Sequence, residues 1–252
     1  MKYEHLEVSC AGSIAHICLD RPEKRNALSE TLIDSLDSAF SSFTDEIRVV
    51  ILTGNGEHFC AGLDLSEASV KSPVELLRTS QRWHTVFHSI QFSSRPVISL
   101  LKGGVIGGGL ELALASHVRV VESNAFFQLP EAQRGFFVGG GASVRVSRVI
   151  GPDRMTEMML TGRRYDAADG YRLGLAHYLA DEGEGMNLVA TLAEQIASNA
   201  PLSTWAAINA VPRIHDMSMS DGLFAESLTA AFTQSSPEAL ERMATFLNRK
   251  SR

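Results

Sequence analysis

The sequence predicts an α/β fold in which strands alternate with helices through about residue 180 and helices alone follow. Three observations carry that expectation. Short apolar runs bounded by glycine, proline or polar residues, such as Ile14–Leu19, Val49–Thr53 and Val97–Leu101, read as buried strands. Apolar residues at helical spacing fill the intervals, as in Leu28, Leu32, Ile33, Leu36, Ala39, Phe40 and Phe43. From Met186 onward every segment keeps helical spacing.

The elements follow in order. Leu6–Val8 and Ile14–Leu19 flank Ala11, Gly12 and Ser13, which suggests a hairpin. Arg21–Ala27 is a polar loop, and Ser29 is the expected N-cap of the first helix. The strand Val49–Thr53 closes at Gly54-Asn55-Gly56. Ser72, Pro73 and Glu75 form a capping box with proline at the first helical position, opening a helix to about Phe92. Pro96 ends that segment, and Val97–Leu101 is the next strand. A glycine cluster (Gly103, Gly104, Gly107, Gly108, Gly109) leads into a short helix, followed by a strand His117–Val121 and an apolar patch Phe126–Leu129. Helices are expected over Gly139–Ile150, Pro152–Leu160 and Asp166–Leu173, with a last strand His177–Leu179. Met186–Asn199, Leu202–Pro212, Ser220–Phe232 and Pro237–Arg249 complete the helical tail. No internal repeat at a fixed long period is visible.

Composition narrows the function. A formal net charge of −6 and the lack of a basic run argue against nucleic acid as a partner. Cys10, Cys18 and Cys60 contain no CxxC pair and make an odd count, so reduced thiols in a cytoplasmic compartment are expected. The opening MKYEHLEVSC is not a secretory signal. The most apolar window, Val97–Val121, is interrupted by Lys102, five glycines and Glu111, so no membrane span is expected.

The chemistry concentrates between Ser99 and Glu131. Glycines let the backbone turn sharply and let a ligand approach closely. The start of the helix after them presents free N–H groups suited to negative charge on an oxygen. Glu111 lies one turn into that helix, and Glu131 returns after the next strand. Two carboxylates near backbone donors suit acid–base work on a polarised carbonyl. Taken singly, Glu111 could be a partly exposed helix residue and Glu131 a helix N-terminal charge. The glycines could be a packing turn or a phosphate loop, but neither GxGxxG nor GxxxxGK[ST] fits. Other constellations are weaker. Ser99 and Lys102 match SxxK without its companion motifs. His84 and His88 lack HExxH and a third ligand, so no metal site is expected. Lys24 and Arg25 read as a solvated loop pair.

Several segments together resemble the crotonase superfamily, also called the enoyl-CoA hydratase/isomerase family. They are Leu19-Asp-Arg-Pro-Glu-Lys-Arg-Asn-Ala-Leu28, Phe59-Cys-Ala-Gly-Leu-Asp-Leu65, Gly103–Ser116, Leu129-Pro-Glu131 and Met159-Leu-Thr-Gly162, in the family's order and spacing. The resemblance implies a spiral of β-β-α turns over residues 1–185. It implies a helical region, residues 186–252, that trimerises and covers the pocket, and an acyl-CoA thioester substrate. It makes the backbone N–H groups of Leu63 and Gly108 the oxyanion hole and Glu111 and Glu131 the catalytic pair. It places Lys24, Arg25, Ala27, Ala61, Gly62, Asp64, Leu65, Phe246 and Lys250 along the CoA and substrate site. Two departures, Gly104 in place of a usual large residue and Val138 in place of a common proline, are expected near the acyl pocket and leave the acyl group open.

The expected activity is addition of water across the double bond of a 2-enoyl-CoA, with no metal or redox cofactor, since coenzyme A is part of the substrate. The expected assembly is a trimer or a dimer of trimers. A double-bond isomerase is the nearest rival within the fold, and it needs only one carboxylate. Thioester hydrolysis, C–C cleavage and dehalogenation would share the oxyanion hole. A non-catalytic, oligomeric CoA-binding paralogue is the alternative from another class, and retention of both glutamates argues against it.

Overall fold

The computed structural model describes residues 3–66 and 71–250, and the side chains of 249 and 250 lie outside that description. Its main sheet has six strands. β1 (Leu6–Ala11) and β2 (Ile14–Leu19) form the antiparallel hairpin, with Ala11 opposite Ile14. β3 (Val49–Gly54) lies parallel to β2, β4 (Val97–Leu101) to β3, β6 (Val118–Glu122) to β4 and β9 (Tyr178–Ala180) to β6. A second, three-stranded sheet pairs β5 (Gly104–Ile106) parallel with β7 (Phe126–Gln128), and β7 antiparallel with β8 (Tyr165–Asp166). The result is a mixed α/β fold with a largely parallel main sheet.

The uninterrupted apolar strands have a direct cause, because the central strands are covered on both faces. Val50, Leu52, Val97, Leu101 and Val121 point into the large core shared with the early helices. Their sequence neighbours Val49, Ile51, Ile98, Leu100 and Val120 point the other way and meet Val189, Leu192 and Ala193 of a C-terminal helix. That helix, α7 (Gly185–Ala197), is therefore part of the core.

Three earlier helices position the site. α1 (Glu30–Ser42) starts where the Ser29 hydroxyl accepts the N–H of Leu32 at 3.1 Å. α2 (Pro73–Gln91) starts at the full capping box of Ser72 and Glu75. It buries Trp83, Val86, Phe87 and Ile90, one stripe at helical spacing. α3 (Gly108–Ala113) is buried throughout. Beyond it come α4 (Ala142–Ile150), α5 (Pro152–Thr161), α6 (Ala167–Leu173), α8 (Pro201–His215), α9 (Met219–Gln234) and α10 (Pro237–Lys250).

Three local readings change. Gly104–Ile106, read from sequence as part of a glycine turn, is a strand, because β7 on one side and Cys60 on the other supply its hydrogen bonds. Residues 139–141, read as the start of a helix, are a loop, and Gly141 enters the left-handed region at φ +109°. α8 continues past Pro212 to His215. Its packing on α9 offsets the hydrogen bond that an internal proline removes.

Candidate active site

The loop after β3 and the glycines before α3 are stitched together by backbone hydrogen bonds. The Cys60 N–H donates to the Gly104 carbonyl at 3.1 Å, and the Ile106 N–H donates to the Cys60 carbonyl at 3.0 Å. On the other side, the Leu28 N–H donates to the Gly62 carbonyl at 2.7 Å and the Asp64 N–H to the Leu28 carbonyl at 3.0 Å. Gly62 turns the chain between these two sets at φ +84°, a conformation that other residues adopt only with strain. A β-carbon there would also fall 2.6 Å from the Ile106 carbonyl oxygen and 3.0 Å from the Gly108 nitrogen. Gly62 is thus seated directly against Gly108. This arrangement uses the N–H groups of Cys60, Ala61 and Asp64, whereas those of Leu63 and Gly108 have no acceptor among the described residues. Gly108 is the first residue of α3, where no intrahelical acceptor exists.

Glu111 stands one turn further along α3 and is 2% exposed. Its Oε1 accepts two backbone N–H groups, from Gly140 at 2.8 Å and Ala142 at 2.9 Å. Burial raises its pKa, while those two donors, the Gly141 backbone and the charge of Arg145 pull in the opposite direction. Glu131 follows the Leu129-Pro130 turn after β7 and heads a short 3-10 turn, Ala132–Arg134. Its Oε1 lies over Gly107, where a β-carbon would come within 2.5 Å of it. Its Oε2 is buried with no hydrogen-bond partner among the described residues. Burial first, and then the negative charge of Glu111, push the Glu131 carboxyl up to about 7. The charge on Glu111 thus bears on the proton of Glu131, and the two carboxyls titrate as a linked pair.

Both glutamates line a cleft of about 930 Å³, together with Leu63, Gly107 and Gly108. The opposite wall comes from α2, chiefly Leu76, Leu77, Ser80 and Trp83. Phe136, Phe137 and Val138 close one side. Of the residues expected along the substrate site, Ala61, Gly62, Leu63, Asp64 and Leu65 line the cleft. Lys24, Arg25, Ala27 and Phe246 do not line it in the single chain, and the side chain of Lys250 lies outside the described residues. Lys24 reaches the Ser66 hydroxyl at 3.3 Å. Arg25 holds a left-handed turn at φ +52°, and its carbonyl accepts the Ala61 N–H. Gly104 is a further correction: it packs in β5 against Ile106, His58 and Phe126 and is not among the residues that line the cleft. Val138 does line the cleft.

Asp64 lines the cleft and is also tied into the loop that carries it. Burial alone would raise its carboxyl, but hydrogen bonds from the Ser66 hydroxyl and N–H and from the Arg21 guanidinium at 2.5 Å hold it at about 2. Its contribution is therefore present above the ordinary carboxylate pKa of 3.8 and is lost as pH falls through about 2. Asp64→Asn removes the carboxylate charge from this buried pair and is expected to destabilise the fold by roughly 2 kcal/mol, read by urea denaturation at neutral pH. A stability change within error of zero would show that the pair does not hold this loop.

Two contributors escaped the sequence reading. Trp83 lies in the buried stripe of α2, and its periodicity announces core packing without revealing that its ring rests on Gly108. Phe136 and Phe137 lie in a stretch without period between Glu131 and Gly139, so no pattern marked them as cleft wall.

Known proteins are similar to this chain along nearly its whole length. Residues 9–251 match the family model described as enoyl-CoA hydratase/isomerase. A probable enoyl-CoA hydratase 2, mitochondrial, of Arabidopsis thaliana is 32% identical over 99% of this chain and 84% of its own. A carnitinyl-CoA dehydratase of Proteus mirabilis is 34% identical over 87% of this chain and 84% of its own. Among solved structures, a protein of Rhodopseudomonas palustris provisionally named an enoyl-CoA hydratase superposes with a TM-score of 0.96 at 47% identity, covering 98% of this chain and 96% of that one. An enoyl-CoA hydratase of Bacillus anthracis gives 0.92 at 28% identity over 98% and 97%. The fold, the stitched glycine segments and these matches place the chain in the enoyl-CoA hydratase/isomerase family, the crotonase superfamily.

Proposed function

We propose that the protein is an enoyl-CoA hydratase, adding water across the double bond of a 2-enoyl-CoA thioester. The observation that carries this reading is the convergence on one cleft of the buried Glu111 carboxylate, the partly buried Glu131 carboxylate and two backbone N–H groups with no acceptor among the described residues. The thioester oxygen sits between the N–H groups of Leu63 and Gly108, which stabilise the enolate-like charge as water attacks the β-carbon. Glu111, whose charged form is favoured by two backbone donors, orients that water and takes its proton. Glu131, whose Oε2 lacks a donor and whose carboxyl is raised to about 7, delivers a proton to the α-carbon. Coenzyme A enters as part of the substrate, and the mechanism uses no further cofactor. The curated relatives named as a hydratase and as a dehydratase support water addition and removal on a CoA thioester. A double-bond isomerase would need only one of the two carboxylates, so two at the cleft favour hydration. The deciding assay is loss of the enoyl-thioester absorbance with crotonyl-CoA and with branched and aromatic 2-enoyl-CoAs. A shift of the double bond without incorporation of water would transfer the assignment to isomerase.

The proton on Glu131 sets a pH dependence. Its acid form is lost as pH rises through about 7, so kcat/KM is expected to fall on the alkaline side of neutrality. A rate that climbs steadily from about pH 6 to about pH 9 would remove Glu131 from the acid role.

We also propose self-association as a trimer or a dimer of trimers. Leu223, Phe224, Leu228 and Phe232 of α9 and Leu240, Met243 and Phe246 of α10 are all exposed in the single chain, an apolar surface larger than a monomer ordinarily shows. Light scattering at micromolar concentration is expected to give one of these assemblies, and a monomer would refute it.

A further inference from the structure

Glu111 is gripped by the loop 139–142, and that loop is itself held by Arg145. From the first turn of α4, Arg145 donates Nη1–H to the Gly140 carbonyl at 3.0 Å and Nε–H to the Gln91 side-chain oxygen at 2.8 Å. Gln91 is the last residue of α2, and its backbone carbonyl is in turn bonded to His117 Nε2 at 2.9 Å. The other His117 nitrogen, Nδ1, accepts the Val97 N–H at 2.9 Å, which assigns the proton to Nε2. A continuous set of hydrogen bonds thus runs from the main sheet through His117, Gln91 and Arg145 to the Gly140–Gly141 peptide, which lies between the Gly140 and Ala142 N–H donors. Gly140 cannot relax by taking a side chain, because a β-carbon there would sit 2.5 Å from Glu111 Oε2 and 2.9 Å from the Phe87 ring.

Resting on the hydratase reading, we propose that Arg145 is a positioning residue for Glu111. It fixes the Gly140 carbonyl so that the N–H groups of Gly140 and Ala142 stay aimed at one carboxylate oxygen, and it supplies the positive charge that faces that carboxylate. The fork of the guanidinium suits this double task, since one edge bonds the loop while another bonds α2. The charges around the site agree with it. Glu111 faces Arg145 from α4 and Glu131 from the segment after β7, and Arg134 lies beside Glu131. On α2, burial and the charges of Arg145 and Arg213 lower the pKa of His88, while Arg148 on α4 adds a further positive charge near Arg145. Arg145 is the cation whose charge favours the ionised form of Glu111.

The test compares Arg145→Gln and Arg145→Lys in the full-length protein. Kinetics with crotonyl-CoA across pH are paired with carboxyl-carbon NMR titration of Glu111, identified by the signal missing in Glu111→Gln. Arg145→Gln is expected to raise the Glu111 titration, and the acid limb of kcat/KM with it, by about one pH unit. It is also expected to lower kcat by roughly tenfold, with KM little changed. Arg145→Lys keeps the charge but not the fork, so the titration stays near the wild-type position while kcat still falls. Equal losses in both variants with an unmoved titration would reduce Arg145 to a packing role and overturn the proposal. Melting curves identify any variant that fails to fold, and Arg145→Lys then carries the comparison. If the wild type turns over no enoyl-CoA, the hydratase reading fails and the Glu111 titration alone decides the role of Arg145.

Discussion

Glu111→Gln and Glu131→Gln are each expected to lower the hydration rate by about 10²- to 10⁴-fold, the range that a positioned acid or base contributes. The structure makes glutamine a clean probe at both sites. At Glu111 a single oxygen, Oε1, accepts both backbone donors, so a glutamine carbonyl can accept the same pair and leave the loop in place. Only the charge and the second oxygen are lost. At Glu131 a gain in stability should accompany the loss of rate. Its folded pKa of about 7 lies above the ordinary 4.5, so the folded state holds the proton more tightly than the unfolded chain. Stability is then fully present below about 4.5 and falls as pH rises to about 7. Glutamine removes that penalty, so Glu131→Gln is expected to be more stable than the wild type at pH 8 by on the order of 1–2 kcal/mol. Thermal melting at pH 5 and pH 8 reads the difference, and turnover reads the catalytic loss. If either variant retains wild-type turnover, that carboxylate has no part in the chemistry.

Gly108→Ala is expected to lose at least about 10²-fold in turnover and to melt at a lower temperature. Alanine keeps the N–H donor, and by residue type alone it harms stability only where φ is positive. Gly108 is not among the positive-φ glycines, yet the space around it is already occupied. An added β-carbon would fall 2.6 Å from the Trp83 ring and 3.2 Å from Leu28. The Trp83 side chain is buried, so the ring cannot move without repacking the face of α2 that it shares with Phe87. Overpacking of this kind costs about 1–3 kcal/mol. Pairing Gly108→Ala with Trp83→Leu separates the two losses. The smaller residue makes room for the methyl and should restore much of the melting temperature. It should not restore turnover, because the methyl remains beside the donor that holds the thioester oxygen. Full activity in the single variant would mean that the substrate never approaches this glycine.

Much of this protein is legible before any coordinate is known. The strands are visible because burial on both faces forces continuous apolar runs, as at Val49–Thr53. The starts of α1 and α2 are visible because capping is local chemistry, and Ser29 and Ser72 with Glu75 make the hydrogen bonds that their residue types announce. The family is legible because several short motifs keep their order along the chain, and Glu111 and Glu131 can be singled out among 29 acidic residues by those motifs.

Tertiary structure decided everything that depends on what lies across a gap. β5 is only three residues long and exists because Cys60 and β7 complete its hydrogen bonds from distant parts of the chain. Asp64 becomes a buried ion-pair partner because Arg21, 43 positions earlier, is folded against it. Burial and the nearness of Glu111 raise the Glu131 carboxyl to about 7, and neither can be read from the residues beside it. Trp83 meets Gly108, and Arg145 reaches the loop that grips Glu111, by the same kind of long-range packing. Residue types and their spacing determine local hydrogen bonds and which face of an element is apolar. The contact between two such faces, and the dielectric each charge then experiences, arise only when the whole chain has packed.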